Sequence, residues 1–331
     1  MTTRILVVGP AWVGDMVMAE PLLALLAERE PDAELHVLAP PATEPLARRM
    51  ASVAATRVLE VRHGELGFRK RLRVARELKA LGFSRALLLP NTLKSALIPF
   101  WAGIPRRTGW LGERRYGLLN DYRHLDPERH PLMVERFLAL ALPPGEPLPR
   151  PLPAPRLTVD AENRARLVRE LGLSEDRPVL ALCPGAEYGP AKRWPAAHFA
   201  ALARHGLERG MHVWLLGSPG DTEVCAGIEA LAPGVANLAG RTRLVDAVDL
   251  LSAATVAVSN DSGLMHVAGA VGARVIGIYG STSPDFTPPL GPDAAVVTLN
   301  LPCSPCFQRT CPLGHLRCLR DLEPARVAEL I

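Results

Sequence analysis

The chain has 331 residues, of which 48% are hydrophobic and 22% charged, the make-up of a globular protein long enough for two domains with sizeable cores. No apolar run approaches the ~18 residues needed to span a bilayer, and the short apolar run between Arg4 and Gly9 is too brief for a secretory signal. Integral-membrane classes are excluded on this reading, and a cytoplasmic protein is expected. The net charge of +4 is uneven: residues 1–155 carry 22 Lys and Arg against 16 Asp and Glu, a surplus of six, whereas the remainder carries 16 against 18. A basic first half suits an anionic partner, although residues 69–79 read as an ordinary solvated helix face.

From the amino end, short β-type runs at 4–9, 34–39, 56–61, 84–89 and 106–109 alternate with helical patterns near 18–30, 42–50, 69–81, 92–101 and 131–141. Such alternation predicts βαβ units and a parallel sheet. Residues 143–155 contain seven prolines in thirteen positions, which cannot hold helix or sheet and predict an extended connector. The expected domains are therefore 1–150 and 151–331. The second half repeats the theme, with strands at 178–183, 211–216, 255–259 and 274–279 and helices near 160–171, 196–209, 220–231, 244–253 and 262–271. Each half reads as a doubly wound α/β domain, with a cleft expected between them.

In such sheets ligands bind beyond the carboxyl ends of strands. The first such turn is Gly9-Pro10-Ala11-Trp12-Val13-Gly14-Asp15. Its two glycines would let a ligand approach the backbone, and the lone Asp15 can take a proton or simply cap the following helix. In the second half, the loop from Cys183 to Pro195 offers Lys192 to a phosphate and leaves Arg193 for an ion pair. It lacks the Gly-Lys-Ser/Thr of a Walker A loop. The turn after 211–216 carries Asp221, read as a helix cap, and Glu223, a weaker ligand candidate. Asp261 reads as an N-cap with Ser262 and Gly263 opening the next helix, whose free N–H groups would seat a diphosphate; His266, one turn on, could reach the same anion. Arg106 and Arg107 are expected in a loop, where a functional reading gains ground. Neither a complete Gly-x-Gly-x-x-Gly fingerprint nor a Ser/His/Asp arrangement is present, which disfavours dehydrogenase and hydrolase chemistry.

Several long phrases recur together: Gly9 through Met16, Pro90-Asn91-Thr92-Leu93-Lys94-Ser95-Ala96, Ala102 through Trp110, Arg115 through Asp121, Cys183 through Pro195, Asn260 through Val267 and Ser283 through Pro289. On these the chain resembles the bacterial ADP-heptose:lipopolysaccharide heptosyltransferases of glycosyltransferase family 9, over residues 5 to about 290. The resemblance implies a GT-B fold of two Rossmann-like domains facing a central cleft, an inverting mechanism and no catalytic metal. It implies ADP-L-glycero-D-manno-heptose as donor, bound by the second domain. The acceptor would be the first heptose of a Kdo-containing lipid A core, met by the first domain at the cytoplasmic face of the inner membrane through peripheral contact. Asp15 would then be the general base and Lys192 would stabilise the leaving diphosphate. Gly185, Ala186, Glu223, Asp261, Ser262, Gly263 and His266 become donor-binding candidates, and Lys94, Arg106, Arg107 and Arg115 acceptor-binding candidates.

The tail departs from that pattern. Cys303, Cys306, Cys311 and Cys318 stand in a C-x₂-C-x₄-C-x₆-C arrangement, which in a reducing compartment favours structural zinc or iron over disulfides; unliganded thiols stay open as the alternative. Two further readings also stay open: another lipopolysaccharide-core transferase of the same family, and a non-catalytic nucleotide-sugar-binding protein. A nucleic-acid partner is not expected, because no aromatic-rich surface accompanies the basic clusters.

Overall fold

The computed structural model describes residues 3–61, 65–291 and 293–331. The chain divides into two units, Met1–Pro155 and Arg156–Ile331. The division falls at the end of the proline-rich segment, and residues 142–160 contain neither helix nor strand.

The first unit runs β1 (Thr3–Val8), α1 (Val13–Met18), α2 (Glu20–Arg29), β2 (Ala33–Ala39), α3 (Glu44–Ala47), β3 (Val53–Val58), α4 (Phe68–Lys79), β4 (Arg85–Leu88), α5 (Leu93–Trp101), β5 (Arg106–Trp110), β6 (Asp121–Arg123) and α6 (Met133–Ala141). All strands are parallel, in the order β3-β2-β1-β4-β5-β6. Ile5, Leu6, Val7 and Val8 are all buried, as expected for a central strand covered on both faces. α4 buries Arg71, Val74, Ala75 and Leu78 and exposes Arg69, Arg73, Arg76 and Lys79, the helical stripe its spacing predicts. The helix expected near 18–30 is α2, and the short α1 before it is separate because Pro21, in the first turn of α2, cannot continue an earlier helix.

The second unit runs α7 (Ala161–Glu170), β7 (Val179–Cys183), a short 3₁₀ turn (Pro190–Lys192), α8 (Ala196–Glu208), β8 (His212–Leu215), α9 (Thr222–Leu231), β9 (Ala236–Asn237), α10 (Leu244–Leu251), β10 (Val256–Asn260), α11 (Gly263–Ala270), β11 (Arg274–Ile278), β12 (Ala295–Val297), α12 (Arg317–Arg320) and α13 (Pro324–Ala328). Its sheet is also parallel, ordered β12-β11-β10-β7-β8-β9. Read in each unit's own strand order, both sheets have the doubly wound sequence 3-2-1-4-5-6.

This topology decides where chemistry sits. Strand order reverses between β1 and β4 in the first unit and between β7 and β10 in the second. At such a switch point the loops leaving the two strands part, and their carboxyl ends open a crevice. The loops so placed are 9–12 and 89–92 in one unit, and 184–195 and 261–262 in the other.

Candidate active site

In the first unit, Asp15 lies half-buried in the first turn of α1, directly after the loop that leaves β1. The side chain of Trp12, which precedes that helix, is 40% exposed. The loop is held from below, where buried Thr43 donates its hydroxyl to the Pro10 carbonyl at 2.8 Å. At Gly9 a Cβ would meet Met16 Cε at 2.5 Å, so the missing side chain makes room for the protein's own core.

The second loop of this switch point, 89–92, is fixed by Arg115. Its guanidinium is fully buried and donates to the carbonyls of Pro90 (2.8 Å), Thr92 (3.4 Å) and Trp110, to Ser95 Oγ (3.1 Å) and to Asn91 Oδ1 (3.3 Å). Burial pushes its pKa down, with Glu113 opposing. Two further contacts lock the neighbouring turn onto it. Leu93 N–H donates to Glu113 Oε2 at 2.6 Å, and a Cβ on Gly112 would lie 2.7 Å from the Asn91 carbonyl. Lys94 stands half-buried at the start of α5, on this same edge.

In the second unit, β10 ends in three residues with three tasks. The amide of fully buried Asn260 donates to the Pro184 carbonyl (2.7 Å) and accepts from the Trp194 N–H (3.1 Å), tying both ends of the 184–195 loop to the sheet. Asp261 accepts from Lys192 Nζ at 2.7 Å and from Thr282 Oγ1 at 2.6 Å. The Lys192 and Asp261 side chains are 15% and 5% exposed. Ser262 then precedes α11 as its cap residue, with Gly263 the first helical position. His266, one turn into α11, is 3% exposed, and its Nδ1 has no hydrogen-bond partner. Burial holds it down at about 4, with Asp261 raising and Lys192 lowering, so it is neutral at pH 7. The Ser281 hydroxyl nearby in sequence to Thr282 is likewise buried and unpartnered. A helix start with free N–H groups, an ammonium and two unsatisfied buried polar atoms suit a phosphorylated ligand.

With both switch points described, likeness to known proteins can be weighed. The family model of Glycosyltransferase family 9 (heptosyltransferase) matches residues 71–317. The chain is 45% identical to lipopolysaccharide heptosyltransferase 2 of Escherichia coli K12 over 98% of its own length and 97% of that protein. It is 42% identical to lipooligosaccharide heptosyltransferase 2 of Haemophilus influenzae, covering 89% and 88% respectively. The solved structure of the E. coli ADP-heptose heptosyltransferase II superposes with a TM-score of 0.88 at 43% identity, covering 99% of this chain and 97% of that one. The chain belongs to glycosyltransferase family 9. It is a glycosyltransferase of the GT-B class, built on the two parallel six-stranded sheets described above.

Several expectations for this transferase change once side chains are placed. Arg115 is not available to an acceptor, since it is fully buried and both terminal nitrogens of its guanidinium donate within the protein. Arg106 and Arg107 open β5, as the β-type run at 106–109 predicts and against their loop reading, at the amino end of the sheet and opposite the Asp15 edge. Arg106 pairs with Asp121 at 2.9 Å, and Arg107 donates to the carbonyls of Leu118 and Ile104, both at 2.6 Å. Asp261 is not an N-cap, because its carboxylate faces Lys192. Asp221 caps only backwards, accepting from the Ser218 N–H and hydroxyl at 2.9 and 2.7 Å. Its carboxylate occupies the space above Gly185, where a Cβ would lie 2.4 Å away. Arg193 stands 3.8 Å from the same carboxylate. Ala186 is buried and its carbonyl accepts from Arg193 Nε, whereas Glu223 is exposed in the first turn of α9. Asn260 is a site residue that the sequence reading did not single out; its signal is the polar pair Ser259-Asn260 ending a strand that begins Val256-Ala257-Val258.

Two outcomes test this geometry. Arg115→Lys should destabilise the protein by ~2–4 kcal/mol in chemical denaturation, because a point charge cannot satisfy the buried carbonyls that a planar fork reaches. His266 takes up its proton near 6.5 when unfolded and at about 4 when folded, so the unfolded state binds more protons between those values. Its contribution is complete above pH 6.5 and is lost as pH falls towards 4. His266→Asn should therefore flatten the stability profile across that window relative to the parent, by on the order of 3 kcal/mol.

Proposed function

We propose that this transferase moves L-glycero-D-manno-heptose from ADP-heptose to the first heptose of a Kdo-containing lipid A core, with inversion at the anomeric carbon. The observation that carries the reading is the pairing of chemistries at the two switch points: a carboxylate beside α1, and a cation with a helix N-terminus beside β10. Support for the donor and acceptor comes from the printed names of the relatives, which are heptosyltransferases of lipopolysaccharide and lipooligosaccharide, and from an ADP-heptose transferase structure of the same fold.

Asp15 takes the proton of the acceptor hydroxyl as its oxygen attacks the anomeric carbon and the bond to ADP breaks. Proton removal of this kind contributes ~10²- to 10⁴-fold. Charge accumulating on the departing diphosphate is met by the N–H groups that open α11 and by Lys192, an electrostatic task that needs no metal. Lys192 cannot act as an isolated cation, since Asp261 already balances it. Two of its ammonium protons are directed at Asp261 (carboxylate 2.7 Å, carbonyl 3.3 Å), leaving one for phosphate. Its first service is thus to keep the Asp261 charge from repelling the donor. Ser262, Gly263 and neutral His266 complete the seat, and Lys94 is the remaining cation on the acceptor side.

The reading includes work at the inner face of the inner membrane by peripheral contact. No helix among the described residues is long and apolar enough to cross a membrane. Exposed Arg69, Arg73, Arg76 and Lys79 on α4, with exposed Leu66 and Phe68 at its start, suit an anionic lipid surface.

The experiment that tests the reading follows ADP release with ADP-heptose and a defined truncated core acceptor, then identifies the linkage formed. Asp15→Asn should lower kcat by ~10²-fold or more while leaving ADP affinity unchanged; near-parental turnover refutes the base assignment. Lys192→Ala should weaken ADP binding by ~30-fold or more by uncovering a buried carboxylate. Adding Asp261→Asn in the same chain should restore part of that loss, as a double-mutant cycle in titration calorimetry would read.

A further inference from the structure

Residues 298–316, between β12 and α12, contain neither helix nor strand. Irregular stretches beyond ~12–15 residues are uncommon in compact domains and usually functional. Apolar burial does little to hold this one, since Phe307 and Leu313 are 48% and 61% exposed. Its cysteines do not close a site either. Cys303 is exposed, Cys306 and Cys311 are half-buried and Cys318 is buried. Among the described residues no three His, Cys, Asp or Glu side chains are grouped so as to hold a metal ion, so the ligand set expected for zinc or iron is not gathered in this structure.

What fixes the segment is hydrogen bonding, most of it through the main chain. Ala191 N–H donates to the Arg309 carbonyl at 3.1 Å, and the Tyr188 hydroxyl donates to the Phe307 carbonyl at 2.8 Å. Gly189 permits the approach, since a Cβ there would lie 2.5 Å from the Arg309 carbonyl oxygen and 3.0 Å from the Arg309 Cβ. On its other side, Phe307 N–H donates to the Ser281 carbonyl at 2.6 Å, and Ser304 Oγ donates to the Gly280 carbonyl. Residues 304–309 therefore strap together the two loops that meet at Asp261. One carries Lys192 and the other carries Thr282, and both donate to the Asp261 carboxylate.

The Arg309 side chain is left out of this bonding. It is exposed, and its guanidinium carbon lies 5.1 Å from the centre of the Tyr188 ring. The Lys192 ammonium lies 5.0 Å from the same centre, so the two cations are neighbours at one ring. Arg193, on the Lys192 loop, has Asp221 at 3.8 Å, and Lys192 itself has Asp261 at 2.7 Å. Arg309 has no carboxylate partner among the described residues. An exposed arginine usually swings freely; here its backbone is pinned and a ring face attracts its guanidinium.

Charge shows what such a residue could do. A sugar nucleotide presents a diphosphate with negative charge on each phosphoryl, and more gathers there as the diphosphate departs. Asp261 balances Lys192 and His266 is neutral, so these three side chains together bring no net charge to the seat. Arg309 is the neighbouring side chain that brings one, on a planar fork that matches two phosphate oxygens at once.

We propose that Arg309 binds the diphosphate of the sugar-nucleotide donor beside Lys192, and that the Tyr188 ring positions its guanidinium to do so. The proposal rests on the donor-site reading above and adds the carboxyl-terminal strap to that site. Tyr188 is a positioning residue on this account, acting through the two cations that it touches.

The test titrates the full chain with ADP and measures donor KM alongside. Arg309→Ala should raise the ADP dissociation constant and donor KM ~10-fold or more, as expected for loss of a charge-assisted phosphate contact. The strap is held by atoms other than this exposed side chain, so the melting temperature should not move. The loss should follow charge, least for Arg309→Lys, greater for Arg309→Ala and greatest for Arg309→Glu. Tyr188→Leu should weaken ADP binding about three- to fivefold, and Tyr188→Phe, which keeps the ring and loses the hydroxyl, should recover most of it. Equal losses across the three Arg309 variants, or none, overturn the phosphate contact. Parental affinity in Tyr188→Leu, or an equal loss in Tyr188→Phe, overturns the positioning role. Lys192→Ala separates this proposal from the reading beneath it. Weakened ADP binding in Lys192→Ala with an unaffected Arg309 series overturns Arg309 alone; parental affinity in all of them overturns the donor-site reading as well.

Discussion

The second unit is organised around a lysine and an aspartate drawn out of water together. Removing such ions from solvent costs several kcal/mol each, and a 2.7 Å contact offsets this only if the remaining lone pairs and protons are also met. Here Thr282 supplies a hydroxyl to the carboxylate, and Tyr188 lies beneath the ammonium. The pair is possible because Asn260, one residue earlier, anchors both ends of the loop on which Lys192 sits. Side chains at the end of a strand alternate in direction, so adjacent residues can hold the loop from one side and the cation from the other. The neutrality of His266 follows from the same burial, and so does the position of the α11 N-terminus.

The first unit solves the corresponding problem with a buried cation that faces mainly carbonyls, while the Glu113 carboxylate braces the loop through Leu93 N–H. Arg115 gathers the carbonyls of Pro90 and Thr92, in the loop after β4, and of Trp110, at the end of β5. Backbone carbonyls at the end of a parallel strand lose their sheet partners, and a buried loop must satisfy them from elsewhere. A planar guanidinium does so at several points at once. The two units thus share strand order but differ in what rigidifies their switch points. One loop edge is fixed by a fully buried arginine, the other by residues that belong to the proposed donor seat.

This contrast explains how much could be read from the sequence. Alternating apolar runs located every long strand and helix within a few residues, because burial on both faces of a parallel sheet leaves a strong pattern. β6, β9 and β12 escaped notice because two or three residues carry no period. The phrases around Asp15, Lys192 and Gly263 were legible as loops after strands, and topology then showed that they belong to switch points. What could not be read was the use of each charge. Arg115 and Lys192 look alike in a sequence, as cations in Gly-rich loops; only three-dimensional burial shows that the first is committed to carbonyls and the second to Asp261. Gly185 is a donor-binding candidate by resemblance alone, and only the fold shows that Asp221 fills the space beside it.

The basic surplus of the first half can be understood the same way. Arg4, Arg29, Arg48, Arg85, Arg106 and Arg150 face carboxylates, and Arg107, Arg115 and Arg123 face carbonyls. These arginines keep their charge and add to the field that draws anions toward the unit. Each, however, already has a protein partner on its guanidinium, which competes with any ligand for it. Long-range attraction thus rests on the summed charge, whereas the proposed short-range contacts fall to half-buried Lys94 and the exposed face of α4. Salt, which screens charges beyond ~10 Å at 0.1 M, acts on the first and leaves the buried Lys192–Asp261 contact almost untouched.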